Sequence, residues 1–436
     1  MQEISSSTLF GPCSSELADR AESLIPAGSQ TFSKGPTQFV RGFAPRYVQR
    51  AEGVEVWDVD GNRYIDWPMG LGAVVLGHAH PAVTAAVERQ LADGIAYSLP
   101  HRLEVEVSEL VRDLCPCAEM VRFGKTGSDA VSAAVRIARA ATGREHVLHC
   151  GYHGWHDWHI AGTTRDRGVP RADHELIGSF GYNDLTSLDA ALAERDGLVA
   201  AVVMEPVGLD MPADGFLQGV IDRAHAAGAV VVFDEIITGF RLKPGGAQEL
   251  FGVTPDLACY GKALGNGMPI SAIAGKADLM MECEEIFFSL THGGEALSLA
   301  AAKTVLEILR DGSVQDRFWQ IGALLRDEQN RILGDAGLDD IVEVRGLGPR
   351  HAFLFSGSPS DPDGLLVKSL LQQEMLRRGV LFAGSQFVAE AHTETDVADT
   401  LAAFREAIGV VREARDAGDV AVRLEGAPVE AVFRRP

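Results

Sequence analysis

Val230-Val231-Val232-Phe233-Asp234-Glu235 is four apolar residues running straight into two carboxylates. A run so short, apolar and valine-rich reads as a strand buried on both faces. Asp234 then stands where the strand meets its loop, and a charge there is costly unless a cation faces it.

Similar apolar runs recur on either side. They are Val121-Arg122-Phe123, His146-Val147-Leu148, Val199 to Met204, Leu257 to Tyr260 and Ile270 to Ala274. Helical spacing fills several gaps, as at Ala130 to Ala141 and Leu217 to Ala227. From residue 66 to 310 this alternation predicts an α/β domain: a mostly parallel sheet covered by helices on both faces. Ligands of such sheets bind at the carboxyl ends of the strands.

Residues 1–65 read as an N-terminal arm and a small-domain segment. Leu17 to Ile25 has helical spacing, ended by Pro26-Ala27-Gly28. Val54 to Trp57 and Arg63 to Ile65 read as strands joined through Asp60-Gly61-Asn62. That acidic turn is not a calcium loop: its glycine comes too early after Asp58, and no glutamate closes it. Residues 311–436 mix a long helix around Leu365 to Arg378 with short strands, a smaller α+β C-terminal domain. Another helix is expected at Ala300 to Leu309.

A chain of 436 residues with 46% hydrophobic and 23% charged residues buries a large core without staples. The six cysteines show no framework spacing, which suits a reducing cytoplasm. Cys115 and Cys117 lack the further thiols or histidines of a zinc set and read as packing residues. Met1-Gln2-Glu3-Ile4 has neither the basic start nor the apolar run of a signal peptide. No apolar stretch reaches the ~18 residues of a membrane span. A formal net charge of −22 argues against nucleic-acid and anionic-membrane partners.

Four segments carry chemistry. Gly124-Lys125-Thr126-Gly127-Ser128-Asp129 opens a helix and offers backbone N–H groups to a phosphate. A P-loop needs a further glycine where Glu119 stands, and a plain helix cap explains the segment equally well. In Gly151-Tyr152-His153-Gly154 the aromatic ring is placed to stack on a planar ligand, although core packing also accounts for it. His153, His156 and His159 lack the usual spacing of metal-binding pairs. Asp234 fits a protonated pyridine nitrogen, or caps the next helix. Lys262 lies in the glycine-rich Tyr260-Gly261-Lys262-Ala263-Leu264-Gly265-Asn266-Gly267, where it forms an imine or is an ordinary surface lysine. Together the four hold one phosphorylated pyridine.

Three blocks in this order resemble the signatures of class III aminotransferases: Cys150 to Gly154, Phe233-Asp234-Glu235-Ile236-Ile237-Thr238-Gly239-Phe240-Arg241, and Gly261 to Pro269. Gly246 to Asp256 resembles the branch that includes glutamate-1-semialdehyde aminomutase, and the similarity runs from Ile25 to Thr393. The resemblance implies pyridoxal 5′-phosphate, fold-type I with a seven-stranded sheet, and a homodimer with shared active sites. It implies Lys262 as the Schiff-base lysine and Asp234 as partner of the pyridine nitrogen. Tyr152 and Ile236 take the two ring faces, and Thr126, Gly127 and Ser128 the phosphate. Thr291 reaches the partner's phosphate, and Asp210 lies near the phenolic oxygen.

The resemblance implies a small-molecule amine donor and a carbonyl acceptor. Transamination, an intramolecular 2,1-amino shift and racemisation or epimerisation share these parts. A regulator of the same fold needs a basic DNA-binding domain, for which the short N-terminal arm and the chain's net charge of −22 leave no room. Three departures from the aminomutase pattern favour transamination. Lys34 stands where the aminomutase grips a carboxylate with arginine, Leu71 where it has tryptophan, and Val388 follows Ser385-Gln386-Phe387 where it has glutamate. The expected acceptor is a larger keto compound of sugar or natural-product type.

Overall fold

After a first helix come three short strands: β1 (Val48–Glu52), β2 (Glu55–Asp58) and β3 (Arg63–Asp66). The structure is a computed structural model and describes residues 9–355 and 362–431. The turn between β2 and β3 is organised by one carboxylate. Asp58 accepts the N–H groups of Asp60 and Asn62 at 3.0 and 2.8 Å, the Asn62 amide at 2.8 Å and the Tyr64 hydroxyl at 3.2 Å. The preceding helix starts earlier than its apolar spacing shows, at Pro12, a residue suited to a first helical position, and ends at Leu24.

The central sheet is built from β4 (Met120–Gly124), β5 (His146–Cys150), β6 (Ile177–Ser179), β7 (Val199–Met204), β8 (Val230–Glu235), β9 (Leu257–Tyr260) and β10 (Ser271–Gly275). Its order is β4-β10-β9-β8-β7-β5-β6. Strands β9, β8, β7, β5 and β6 are parallel, while β10 runs antiparallel to both β9 and β4. Two reversals cancel, so β4 points the same way as the parallel five. Every residue of β7 and β8 is buried, as their apolar runs require. The helix Gly127–Thr142 lays Ala130, Val131, Ala134, Ile137 and Ala138 into the core with Val147, Val203, Val232 and Ile273. Thr126 caps its start reciprocally with Asp129, and Gly143 (φ 65°) ends it.

Further along come β11 (Val342–Leu347), β12 (Arg350–Phe355), β13 (Val380–Leu381) and β14 (Ser385–Phe387). Strand β13 pairs in parallel with β3, which makes a sheet β1-β2-β3-β13; β11, β12 and β14 form an antiparallel sheet. The N-terminal strands therefore share a sheet with a strand of the C-terminal region. Two compact units result. One takes the described residues up to Gly72, Leu76–His80 and those from Phe318 onward; the other takes Ala73–Val75 and Pro81–Arg317. The first division falls past residue 66 because the segment after β3 stays with its own sheet. Asp66 accepts the N–H of Met69 at 3.0 Å, and a Cβ on Gly72 would stand 2.7 Å from the Phe387 ring.

That segment is a turn of left-handed backbone, with φ of 42°, 61°, 61° and 81° at Met69, Gly70, Leu71 and Gly72. Only the two glycines adopt it without steric cost. Among the described residues no helix is long and apolar enough to cross a membrane.

Candidate active site

The carboxyl ends of β4, β5, β7, β8 and β9 supply the candidate residues, all within the larger unit. At the β4 end, Thr126 donates its N–H to Asp129 at 2.8 Å, and its hydroxyl oxygen accepts from Asp129 N at 3.2 Å. The helix-cap reading of Thr126 is thus realised. Gly127 and Ser128, first in the helix, have no carbonyl one turn back, so their N–H groups suit an anion at the positive end of the dipole.

Packing is tight where this turn meets its neighbours. A Cβ on Gly127 would lie 3.2 Å from three carbons of Ile236, and one on Gly261 3.1 Å from the Ile236 Cδ1. Ile236 thus packs between the helix start and the loop that carries Lys262. Gly154 (φ +100°) leaves no room for a side chain beside Ser128, whose hydroxyl accepts the N–H of Trp155 at 3.3 Å.

After β5 the chain turns through Gly151 (φ +110°) and presents Tyr152, half exposed. Glu205, at the end of β7, accepts the Tyr152 N–H at 3.3 Å. Asp234, the last residue but one of β8, is only 5% exposed. Its Oδ1 accepts the Ile236 N–H at 3.0 Å, and its Oδ2 lies 2.8 Å from Nδ1 of His153, which is 1% exposed. Lys262 follows β9 with φ 39°, a strained conformation for a lysine and a mark of functional sites. Asn266 in the same loop accepts the Val75 N–H at 2.8 Å.

Burial governs the titratable groups around Asp234. It pulls His149 down to about 4 and His159 down to about 3, with the charge of His153 adding to both. It pushes Cys150 up to about 11 and the phenols of Tyr152 and Tyr182 upward, Asp210 and Glu205 contributing at Tyr182.

Two further expected site residues are exposed on the single chain. Asp210 is exposed on the loop after β7, and Thr291 is exposed in the turn before the helix Ala296–Leu309. Glu295 caps that helix and pairs with Lys125 at 2.9 Å. Lys34 and Leu71 belong to the other unit, where both line one cavity of about 510 Å³ with Ile25, Phe39, Arg46 and His78. The sequence reading missed two residues. His153 was weighed only as a metal ligand, although it directly follows the stacking tyrosine. Glu205 stood at the end of an apolar strand, as Asp234 does.

The site matches a phosphorylated pyridine in chemistry: a buried carboxylate for a ring cation, a half-exposed aromatic face, a helix start hemmed by glycines, and a lysine after β9. The comparisons agree. The family model described as aminotransferase class-III matches residues 40–388. A glutamate-1-semialdehyde 2,1-aminomutase of Roseiflexus castenholzii is 35% identical over 432 residues, covering 92% of this chain and 99% of that protein. The solved FumI protein of Sphingopyxis sp. MTA144, in its PLP internal aldimine form, is 28% identical with a TM-score of 0.87, over 93% and 98% of the two chains. An omega-transaminase from Sphaerobacter thermophilus is 27% identical with a TM-score of 0.84, over 92% and 98%. The fold is fold-type I, the cofactor is pyridoxal 5′-phosphate, and the chain belongs to the class III aminotransferases.

Proposed function

We propose that this enzyme moves an amino group from an amino-acid-type donor to a separate keto or aldehyde acceptor. The observation that carries the reading is the shared cavity of Lys34 and Leu71. At one position a lysine offers a point charge where a two-point guanidinium grip would hold a small amino-aldehyde acid. At the other a leucine leaves open the space that a tryptophan would fill.

Pyridoxal phosphate supplies the electron sink. The chain supplies position and proton transfer. Asp234 pairs with the ring nitrogen and keeps it cationic, while Tyr152 and Ile236 hold the two faces. Thr126, Gly127 and Ser128 receive the phosphate, and Asp210 acts near the phenolic oxygen. Lys262 Nζ anchors the cofactor at rest. Freed by the donor amine, it would take the proton from the donor's substrate carbon and deliver it to the cofactor's C4′ carbon, as base and then acid.

The working form in this reading is a cytoplasmic homodimer in which Thr291 serves the partner's phosphate site. Leu91, Tyr97, Leu99, Val105 and Phe287 support it: all are large, apolar and exposed on the single chain, Phe287 at 82%. Thr291→Ala is expected to weaken cofactor retention in a dimer that still forms. A fully active monomer in sedimentation contradicts the shared site.

The relative at 35% identity favours a second reading, the intramolecular 2,1-amino shift. One experiment separates the two. Glutamate-1-semialdehyde is offered beside a panel of amine donors and keto acceptors, and products are followed by mass spectrometry. Transfer of a ¹⁵N label between separate molecules is expected. Efficient formation of 5-aminolevulinate without such transfer overturns the proposal.

A further inference from the structure

We infer that His153 is a positioning residue for the cofactor's ring nitrogen, a doubly protonated imidazole that fixes Asp234 from behind and keeps the proton on the ring side. The inference rests on Asp234 being the partner of that nitrogen.

The geometry is closed. His153 Nδ1 lies 2.8 Å from Asp234 Oδ2, and its Nε2 lies 3.2 Å from the carbonyl oxygen of Cys150. A carboxylate and a carbonyl both only accept hydrogen bonds. The ring satisfies both only when each nitrogen carries a hydrogen. Its side chain is wholly buried and that of Asp234 nearly so, at 0% and 6% exposed. Leaving either nitrogen without its partner there is costly.

The surroundings place one cation rather than several. His149, from β5, meets the His153 ring edge-on at 5.9 Å, and His159 does so at 5.2 Å. His159 Nε2 accepts the backbone N–H of His153 at 3.1 Å, so that nitrogen carries no hydrogen. Both neighbours are held neutral near pH 7 by burial and by the charge between them. Trp158 lies nearly parallel to His153 at 6.3 Å. Asp234 from β8 is the anion hydrogen-bonded to the ring. A ring that only filled space would leave its nitrogens better replaced by carbon.

The consequence concerns one proton. Asp234 has one oxygen bonded to the Ile236 N–H and the other to His153, and lone pairs remain for the ligand. A cation behind the carboxylate opposes transfer of the ring-nitrogen proton onto Asp234. Without it, a buried carboxylate takes that proton more readily.

The test uses holoenzyme loaded with ¹⁵N-labelled pyridoxal phosphate, whose nitrogen shift reports protonation directly. His153→Asn keeps a donor without the charge, and His153→Phe keeps the volume alone. In both, the ring nitrogen is expected to be less fully protonated near neutral pH than in the parent enzyme, its proton lying more on Asp234. kcat should fall on the order of ten- to a hundredfold, as losing an outer-shell partner costs at other sites, with KM for the donor less affected. Asp234→Asn is measured in parallel. If that variant keeps a protonated nitrogen, the reading of Asp234 fails. If it loses the proton and the His153 variants do not, the reading of Asp234 stands and this inference falls. Should the variants not fold, ring-¹⁵N histidine in the unaltered enzyme decides. Two protonated nitrogens at His153 near neutral pH are expected, and one overturns the inference.

Discussion

Glu235 Oε1 accepts both the backbone N–H and the side-chain amide of Gln248, at 3.2 and 3.1 Å. Its Oε2 takes the Ala247 N–H at 2.7 Å and the Thr238 hydroxyl at 2.8 Å. Gln248 passes the link on, donating to the Tyr260 hydroxyl at 2.7 Å and accepting the Cys117 N–H at 3.1 Å. One fully buried carboxylate therefore ties β8, β9 and the approach to β4 together; Glu235 adjoins Asp234, and Tyr260 lies two residues before Lys262. Burial pushes its carboxyl above the ordinary range, so the four donors are what hold it in place. Glu235→Ala leaves those donors without an acceptor and is expected to cost about 3 kcal/mol or more. Urea unfolding measures it, and a loss under about 1 kcal/mol would contradict this role.

Lys262→Ala should leave a folded chain with no covalently held cofactor. Borohydride reduction of the parent enzyme followed by peptide mass spectrometry should find the cofactor mass on the peptide that holds Lys262. A label on any other lysine sinks the assignment.

If the acceptor occupies the cavity beside Leu71, as proposed, that cavity limits its size. Leu71→Trp should shrink that space, so the bulkiest accepted carbonyl compounds lose kcat/KM by about tenfold while cofactor retention is unchanged. Equal losses for small and large acceptors would mean that Leu71 does not select by size.

Four buried histidines make the fold acid-sensitive. Burial lowers His149, His351 and His392 to about 4 and His159 to about 3. Unfolded, each takes a proton near 6.5. Below that pH the unfolded chain binds more protons than the folded one, so stability is full above about 6.5 and falls as the pH drops towards 4. The loss is on the order of 1 kcal/mol per group for each pH unit. Urea midpoints between pH 7.5 and 5 test it, and a flat profile would refute it. His392→Gln, which ends the stacking of that ring on Trp67 at 4.0 Å, should lower the midpoint at pH 7.5 but flatten the acid slope.

What sequence reading recovered and missed follows from the range of the forces involved. The valine runs of β7 and β8 announce themselves because every position is buried. Strand β1, Val48-Gln49-Arg50-Ala51-Glu52, is a mostly exposed edge with no alternation to read, and β6 has only three residues. The Ser271–Gly275 segment reads as a strand, yet its antiparallel direction is set by pairing with β4 and β9, far away in sequence. In the site, the types and order of Tyr152, Asp234 and Lys262 sufficed to name the ligand class. The His153–Asp234 bond did not show, because 81 residues separate two side chains that only the sheet brings together. The left-handed turn at Met69 to Gly72 was equally hidden, since Met69 and Leu71 adopt it against their own preference.

The strand order also constrains how this enzyme is made. The proposed phosphate turn follows β4 at residue 124, the proposed anchoring lysine follows β9 at residue 262, and β10, the strand between their strands, is made last of the three. During synthesis the first half of the site waits on the ribosome for the second, then for residue 275 to bridge them. At roughly 5–20 residues per second the nascent chain spends several seconds with its helix start and aromatic platform made but no lysine to trap a cofactor. Cofactor supplied to stalled chains that end before residue 262 should find no covalent hold, so loading is a late event in the life of the polypeptide.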